Sequence, residues 1–231
     1  MPKVFISGSI TIKQLAPQVE ARLDNIRAAG LQVLVGDAAG VDSAIQRYFR
    51  THDYAAVTVY CSSDTARHNL GGWPQLHVEP PAGARGRALH TAKDVRMADD
   101  CDYGLMVWDG KSPGTLSNVI ELLGRNKKSL LYLYPHAQFH TLQAAADLQA
   151  LVALMDEPAR LAVERKLALT GKLSRLLGST RDPASEDDAA SVQTQIDEHR
   201  ARIAWHQQCI AELQGRLASL EPLDDLFGRL Q

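Results

Sequence analysis

Short apolar runs alternate with helical spacings along the first 135 residues. Lys3–Ser7 is an apolar run that ends in Ser7-Gly8-Ser9. Leu15, Val19, Leu23 and Ile26 recur at helical spacing over Leu15–Ala29, and Gly30 closes that pattern. Leu31–Val35 reads as a second strand and Val41–Phe49 as a second helix. Ala55–Tyr60, rich in β-branched and aromatic residues, reads as a third strand. A loop dense in Gly and Pro spans Cys61–Arg87; His90–Asp99 then reads as helix, Tyr103–Trp108 as strand, Thr115–Gly124 as helix and Ser129–Tyr134 as the last strand. Apolar strands alternating with helices predict a parallel sheet covered on both faces, a Rossmann-like α/β fold.

After Pro135 the texture changes. Leu142–Met155 and Pro158–Leu177 read as Ala/Leu-rich helices, followed by a polar break over Gly178–Ser185. A heptad then runs to Pro222, with Ala189, Ile196, Ile203, Ile210 and Leu217 in one seam position and Val192, His199, His206, Leu213 and Leu220 in the other. The pattern predicts a helical tail over 136–231 that folds back as an antiparallel coiled-coil hairpin. Its second arm outreaches the first, so the exposed part of the seam needs the preceding helix or a second subunit, and a homo-oligomer is expected.

Composition narrows the class. The net charge of −2 leaves no basic footprint, which argues against nucleic acid as the main partner. No apolar run is long enough to span a membrane. Met1-Pro2-Lys3 leads straight into Val4-Phe5-Ile6, so no secretory leader is expected. Cys61, Cys101 and Cys209 form neither a zinc pattern nor a disulfide framework, which points to a reducing cytoplasm. No metal or cofactor is expected.

The candidate chemistry lies in loops that follow strands. Ser7, Gly8 and Ser9 let a ligand approach the backbone at the end of the first strand. Gly36-Asp37-Ala38-Ala39-Gly40-Val41-Asp42 follows a strand and opens a helix, the setting in which backbone amides hold an anion. Asp42 either accepts ribose hydroxyls or only complements the helix dipole. Arg67 and Asn69, near Gly71 and Gly72, form a phosphate clamp or a solvated loop. Lys93 and Asp94 either project toward a ligand or pair on the surface. In Trp108-Asp109-Gly110-Lys111-Ser112-Pro113-Gly114-Thr115 a strand ends, a glycine loop follows and a helix starts. This is not a Walker A loop, because the lysine does not immediately precede the closing Ser or Thr.

Together these segments resemble the SLOG superfamily, which holds the Lonely guy phosphoribohydrolases and the Rossmann domain of the DNA-processing protein A family. Gly36–Ala44 resembles the Gly-x-Ala-x-Gly-Val/Ile-Asp-x-x-Ala pattern of the DNA-processing branch. Lys93–Asn118 resembles the Lonely guy stretch Arg-Lys-x-x-Met, then Pro-Gly-Gly-x-Gly-Thr-x-x-Glu. The resemblance covers about residues 1–135 and implies a nucleotide-binding fold. It departs at the positions that carry reaction in the family: the catalytic Arg falls at Lys93 and the catalytic Glu at Asn118, while Lys111 and Ser112 replace two glycines. Glu121, one turn later, is the substitute carboxylate on that helix, facing inward or out.

Three readings follow. The first is binding of a nucleotide or an ADP-ribose-like ligand by Ser7, Gly8, Ser9, Gly36, Gly40, Asp42, Arg67, Asn69, Lys93, Asp94, Lys111, Ser112, Gly114, Thr115 and Asn118. The second is an N-glycosidic-bond hydrolase or transferase acting on a nucleoside monophosphate, with Glu121 or Asp42 as carboxylate. The third is a structural coiled-coil protein with a relic Rossmann domain.

Overall fold

The computed structural model describes residues 1–81, 83, 87–179 and the single positions 197, 200, 207, 210, 211 and 214. Seven strands, β1 (Lys3–Gly8), β2 (Gln32–Gly36), β3 (Val57–Cys61), β4 (Gln75–His77), β5 (Tyr103–Trp108), β6 (Ser129–Leu133) and β7 (Gln138–Leu142), form one sheet in the order β4-β3-β2-β1-β5-β6-β7. All pairings are parallel except β6 with β7. Helices α1 (Pro17–Ala28), α2 (Val41–Thr51), α3 (Arg87–Asp100) and α4 (Pro113–Leu123) connect the strands. The fold is the Rossmann-like α/β architecture that the alternation predicts.

The period-two rule sorts the core. Val4, Ile6, Val33, Val35, Leu105 and Val107 pack with α1 and α2, while Phe5, Leu34, Met106 and Trp108 pack with α3 and α4. Both faces are buried, so each strand reads as a continuous apolar run. The chain leaves β1 toward β2 on one side and returns beside β1 as β5 on the other. Strand order reverses between these neighbours, and in open α/β sheets that crevice at the carboxyl ends is where ligands bind.

Beyond β6 the chain stays with the sheet. A 3-10 turn over Tyr134–His136 reverses it into β7, which the sequence pattern did not reveal. Gln138-Phe139-His140-Thr141-Leu142 is an edge strand with only Leu142 fully buried, so its alternation is faint. Helices α5 (Ala145–Ala153), α6 (Glu157–Leu167) and α7 (Leu169–Ser179) follow, and Leu148, Leu151, Val163, Leu167 and Leu169 join the core beneath α4. The single helix expected over Pro158–Leu177 is two. Ala168 takes a left-handed φ of 50°, and Glu164 accepts from both the amide and the hydroxyl of Thr170 at 2.9 Å, which fixes the break.

Residues 1–180 form one compact unit and 181–231 a second. The described positions of the second are helical and exposed, among them the seam residue Ile210. The rest of the expected seam and hairpin falls outside the described residues. Among the described residues no helix is long and apolar enough to cross a membrane.

Candidate functional site

Ser9 is the joint of the carboxyl-end crevice. It is fully buried, and its amide donates to the Val107 carbonyl at 3.0 Å, which fixes it to β5. Its carbonyl accepts from Val41 N at 3.3 Å, tying the first turn of α2 to the end of β1. Its hydroxyl accepts from Asp109 N at 3.0 Å and lies 3.4 Å from the Thr115 hydroxyl in the first turn of α4. One serine therefore sets two helix N-termini against the same strand end. Neither helix has a side-chain cap from its N-cap residue, Gly40 for α2 and Ser112 for α4. Below this joint, Asn118 of α4 donates to the Ser7 hydroxyl at 3.0 Å.

Asp109 shapes the loop that opens α4. One carboxylate oxygen accepts from the amides of Lys111 (2.9 Å) and Ser112 (2.7 Å), and the other from the Thr11 hydroxyl (2.7 Å). Burial works against its charge, but these donors outweigh burial and hold the carboxyl below the usual carboxylate range. Its negative charge is thus spent within the loop. The first turn of α4 holds no acidic residue, whereas that of α2 holds Asp42.

The second cluster gathers at the end of β2. A Cβ on Gly36 would stand 2.4 Å from an Asp42 carboxylate oxygen and 2.6 Å from the Lys93 ammonium, so both groups converge above it and a side chain there would push them aside. Lys93 comes from α3, is buried, and donates to Asp94 at 2.7 Å. Burial disfavours its charge, yet Asp94, Asp42 and Asp37 outweigh that and raise its pKa. Asp42 accepts from Ala38 N at 3.2 Å, and burial, only partly offset by Lys93, pushes its carboxyl up to about 6.

That shift has a sign that can be measured. Between pH ~4, where an unfolded Asp loses its proton, and pH ~6, the folded chain keeps a proton that the unfolded chain has lost. Asp42 therefore favours the folded state at low pH, and that contribution is lost as pH rises through this window. Asp37, Asp100 and Asp109 are depressed and act in the opposite sense, at lower pH. Relative to Asp42→Asn, the wild-type chain should lose about 2–3 kcal/mol of stability between pH 4 and 7. Urea midpoints of the two proteins across that range check this; a constant gap would show that Asp42 titrates alike folded and unfolded.

Comparison with known proteins adds a distant likeness. No protein-family model and no curated protein matches this sequence. The solved structure of DNA processing protein A from Helicobacter pylori, described for its single-stranded DNA binding mode, is similar at 17% identity and a TM-score of 0.43. The match covers 56% of this chain and 64% of that one. A likeness this distant assigns no ligand and no residue role.

Of the residues singled out from sequence, Ser7, Gly8, Ser9, Gly36, Gly40, Asp42, Lys93, Asp94, Ser112, Gly114, Thr115 and Asn118 meet at the carboxyl ends of the strands or on the helix starts above them. Lys93 and Asp94 are not a surface pair. Arg67 is not a free phosphate clamp: its guanidinium makes a two-pronged contact with the buried Asp37, at 2.8 and 3.0 Å. Asn69 is used in closing its own loop, donating to the Trp73 carbonyl at 2.8 Å and accepting from the Trp73 amide at 3.0 Å. Glu121 does not reach the site. It lies in the last turns of α4, held by Arg125 at 2.7 Å, and Arg125 also grips Asp99 near the end of α3. Lys111 is exposed on the loop, and its side chain has no partner among the described residues.

Sequence reasoning passed over Asp37, Asp109 and Gln46. Gln46 is fully buried in α2; it donates to the carbonyls of Gly36 (2.9 Å) and His68 (3.2 Å) and accepts from Leu70 N (2.9 Å), pinning the loop after β3 to β2. An Asp three residues before a Ser-Pro helix start signals an Asx turn, so Asp109 could have been found. Asp37 meets Arg67 thirty residues on, and Gln46 meets His68 and Leu70 more than twenty residues on; no local pattern marks these contacts. Among the described residues no cluster of His, Cys, Asp and Glu could hold a metal. In a cavity of about 740 Å³ lined by residues of α1 and α2, Tyr48 donates to Asp24 and Arg47 to the Lys13 carbonyl.

Proposed function

We propose that this chain binds a nucleotide or a nucleotide-derived ligand in the crevice above β1, β2 and β5, with a phosphate at the N-terminus of α4. The observation that carries this reading is the joint at Ser9, which aims two helix starts without side-chain caps at one strand end. Free amides and the helix dipole there favour an anion. Of the two starts, α4 suits the phosphate, because Asp42 occupies the first turn of α2. Asp42 and Asp94 lie on the β2 side, and their carboxylates make that side unsuited to the phosphate.

Gly114 offers a clean test. It is exposed, and a Cβ there would meet nothing within 4 Å. Gly114→Asp puts a carboxylate where the phosphate would sit, and the α4 dipole favours that charge by about 0.3–1 kcal/mol. The expected result is an unchanged or raised Tm together with at least tenfold weaker binding, about 1.4 kcal/mol. Titration calorimetry with nucleoside mono- and diphosphates and ADP-ribose reads both proteins. Absence of binding across that panel, or equal affinity in the variant, would overturn the reading.

One observation favours a second reading, cleavage of an N-glycosidic bond. A buried carboxyl with a pKa of about 6 is suited to proton transfer near neutral pH. If the chain has this activity, Asp42→Asn abolishes release of free base from a nucleoside monophosphate and leaves binding in place.

A further inference from the structure

We propose that the cavity between the loop opening α4, the Tyr134–His136 turn and the α5–α6 junction takes the planar heterocycle of the bound nucleotide. The proposal rests on the nucleotide reading and extends it to a second subsite. The cavity measures about 360 Å³, at the small end of the range for small-molecule sites, which suits one heterocycle with part of a sugar and not a longer ligand. Its walls include the buried Trp108, Leu133 and Met155, with Leu154 half-exposed above them. The indole itself has no exposed surface, so the apolar surface open to the flat face of a base comes from Leu154 and Pro135.

Of the three polar side chains exposed at its edge, Asp156 caps α6 by accepting from the Ala159 amide, which leaves Lys111 and His136. Neither makes a side-chain contact among the described residues, so both are available to ring nitrogens, carbonyls or a phosphate. The cavity and the start of α4 share the loop that opens the helix. Asp109, Gly110 and Lys111 form one wall, and Ser112 and Pro113, next in the chain, begin α4. The Trp108 indole donates to the Ser112 carbonyl at 3.0 Å, so the floor of the cavity and the start of the helix move as one piece.

The test separates base from phosphate. Ribose 5-phosphate carries the phosphate and sugar without a ring, and a nucleoside monophosphate adds only the ring. Leu154 closes α5 in ordinary helical geometry and is half-exposed, so Leu154→Glu is expected to fold with an unchanged Tm. It places in the cavity a carboxylate that holds water there. By calorimetry, the wild-type chain should bind its preferred nucleoside monophosphate at least tenfold more tightly than ribose 5-phosphate. In Leu154→Glu that difference should vanish while ribose 5-phosphate binds as before. Equal affinities in the wild-type chain, or a preference that survives Leu154→Glu, would place the ring elsewhere and overturn this proposal with the nucleotide reading intact. Failure of both ligands to bind would overturn both.

Discussion

Replacing Gly40 by alanine should cost about 2–6 kcal/mol, a large share of the ~5–15 kcal/mol that holds a domain of this size together. Two effects add at this position. The backbone sits at φ 79° and ψ −127°, a region that side chains with a Cβ rarely enter, at a cost of about 1–3 kcal/mol. The Cβ would also stand 2.4 Å from Ile10 Cα and 2.5 Å from its carbonyl oxygen, and backbone cannot swing aside as a side-chain tip can. Relief requires moving the β1–α1 loop away from α2, at about 1–3 kcal/mol for overpacking. Gly30 is the control. It shares a positive φ, 65°, but a Cβ there meets nothing within 4 Å, so Gly30→Ala should cost only ~1 kcal/mol of backbone strain. Urea unfolding of both variants reads the difference. Equal, small losses would mean that the Ile10 approach is soft.

Gly40 was legible in the sequence because local geometry decides it. A glycine between a strand and an amphipathic helix, four residues after another glycine, marks a sharp turn whatever the rest of the chain does. The buried strands were legible for a similar reason: a strand covered on both faces reads as an apolar run. The break at Ala168 was not, because alanine is a strong helix former and its left-handed turn is held by Glu164 reaching Thr170, a contact that propensity does not contain. The edge strand β7 was faint because Phe139 and His140, on opposite faces, are both half-buried and only Leu142 is fully buried.

The charged residues were the hardest to read, and the reason is physical. Periodicity says which face of an element is apolar; it does not say which charge meets which across the fold. Arg67 beside Asn69 and two glycines has the composition of an anion clamp, but Asp37, thirty residues earlier, occupies its guanidinium. Glu121 had the right helix for a catalytic carboxylate and the wrong depth along it, near the Asp99 end of α3 instead of the carboxyl ends of the strands. Lys93 followed by Asp94 looks like a solvated pair. The structure buries the lysine because α3 leads it over Gly36, where the missing Cβ leaves room for its ammonium.

That burial makes Lys93→Met the most informative change in the charge cluster. Methionine keeps the volume, so the loss is electrostatic. Asp42 and Asp94 would keep their burial and lose their nearest cation, and breaking such a pair from one side costs about 3–5 kcal/mol. Asp37 keeps Arg67 and is affected less. Without Lys93 the Asp42 carboxyl rises further above its present value of about 6, so the loss should be largest near neutral pH and shrink as pH falls and Asp42 takes up its proton. Adding Asp42→Asn to Lys93→Met removes the stranded charge and should recover part of the stability. The recovery in that double-mutant cycle measures the coupling between the two residues directly. Urea midpoints of the four proteins at pH 5 and pH 7.5 supply the numbers. A loss below ~1 kcal/mol, the same at both pH values, would make Lys93 an ordinary exposed pair with Asp94 and remove the charged floor from the β2 side of the site.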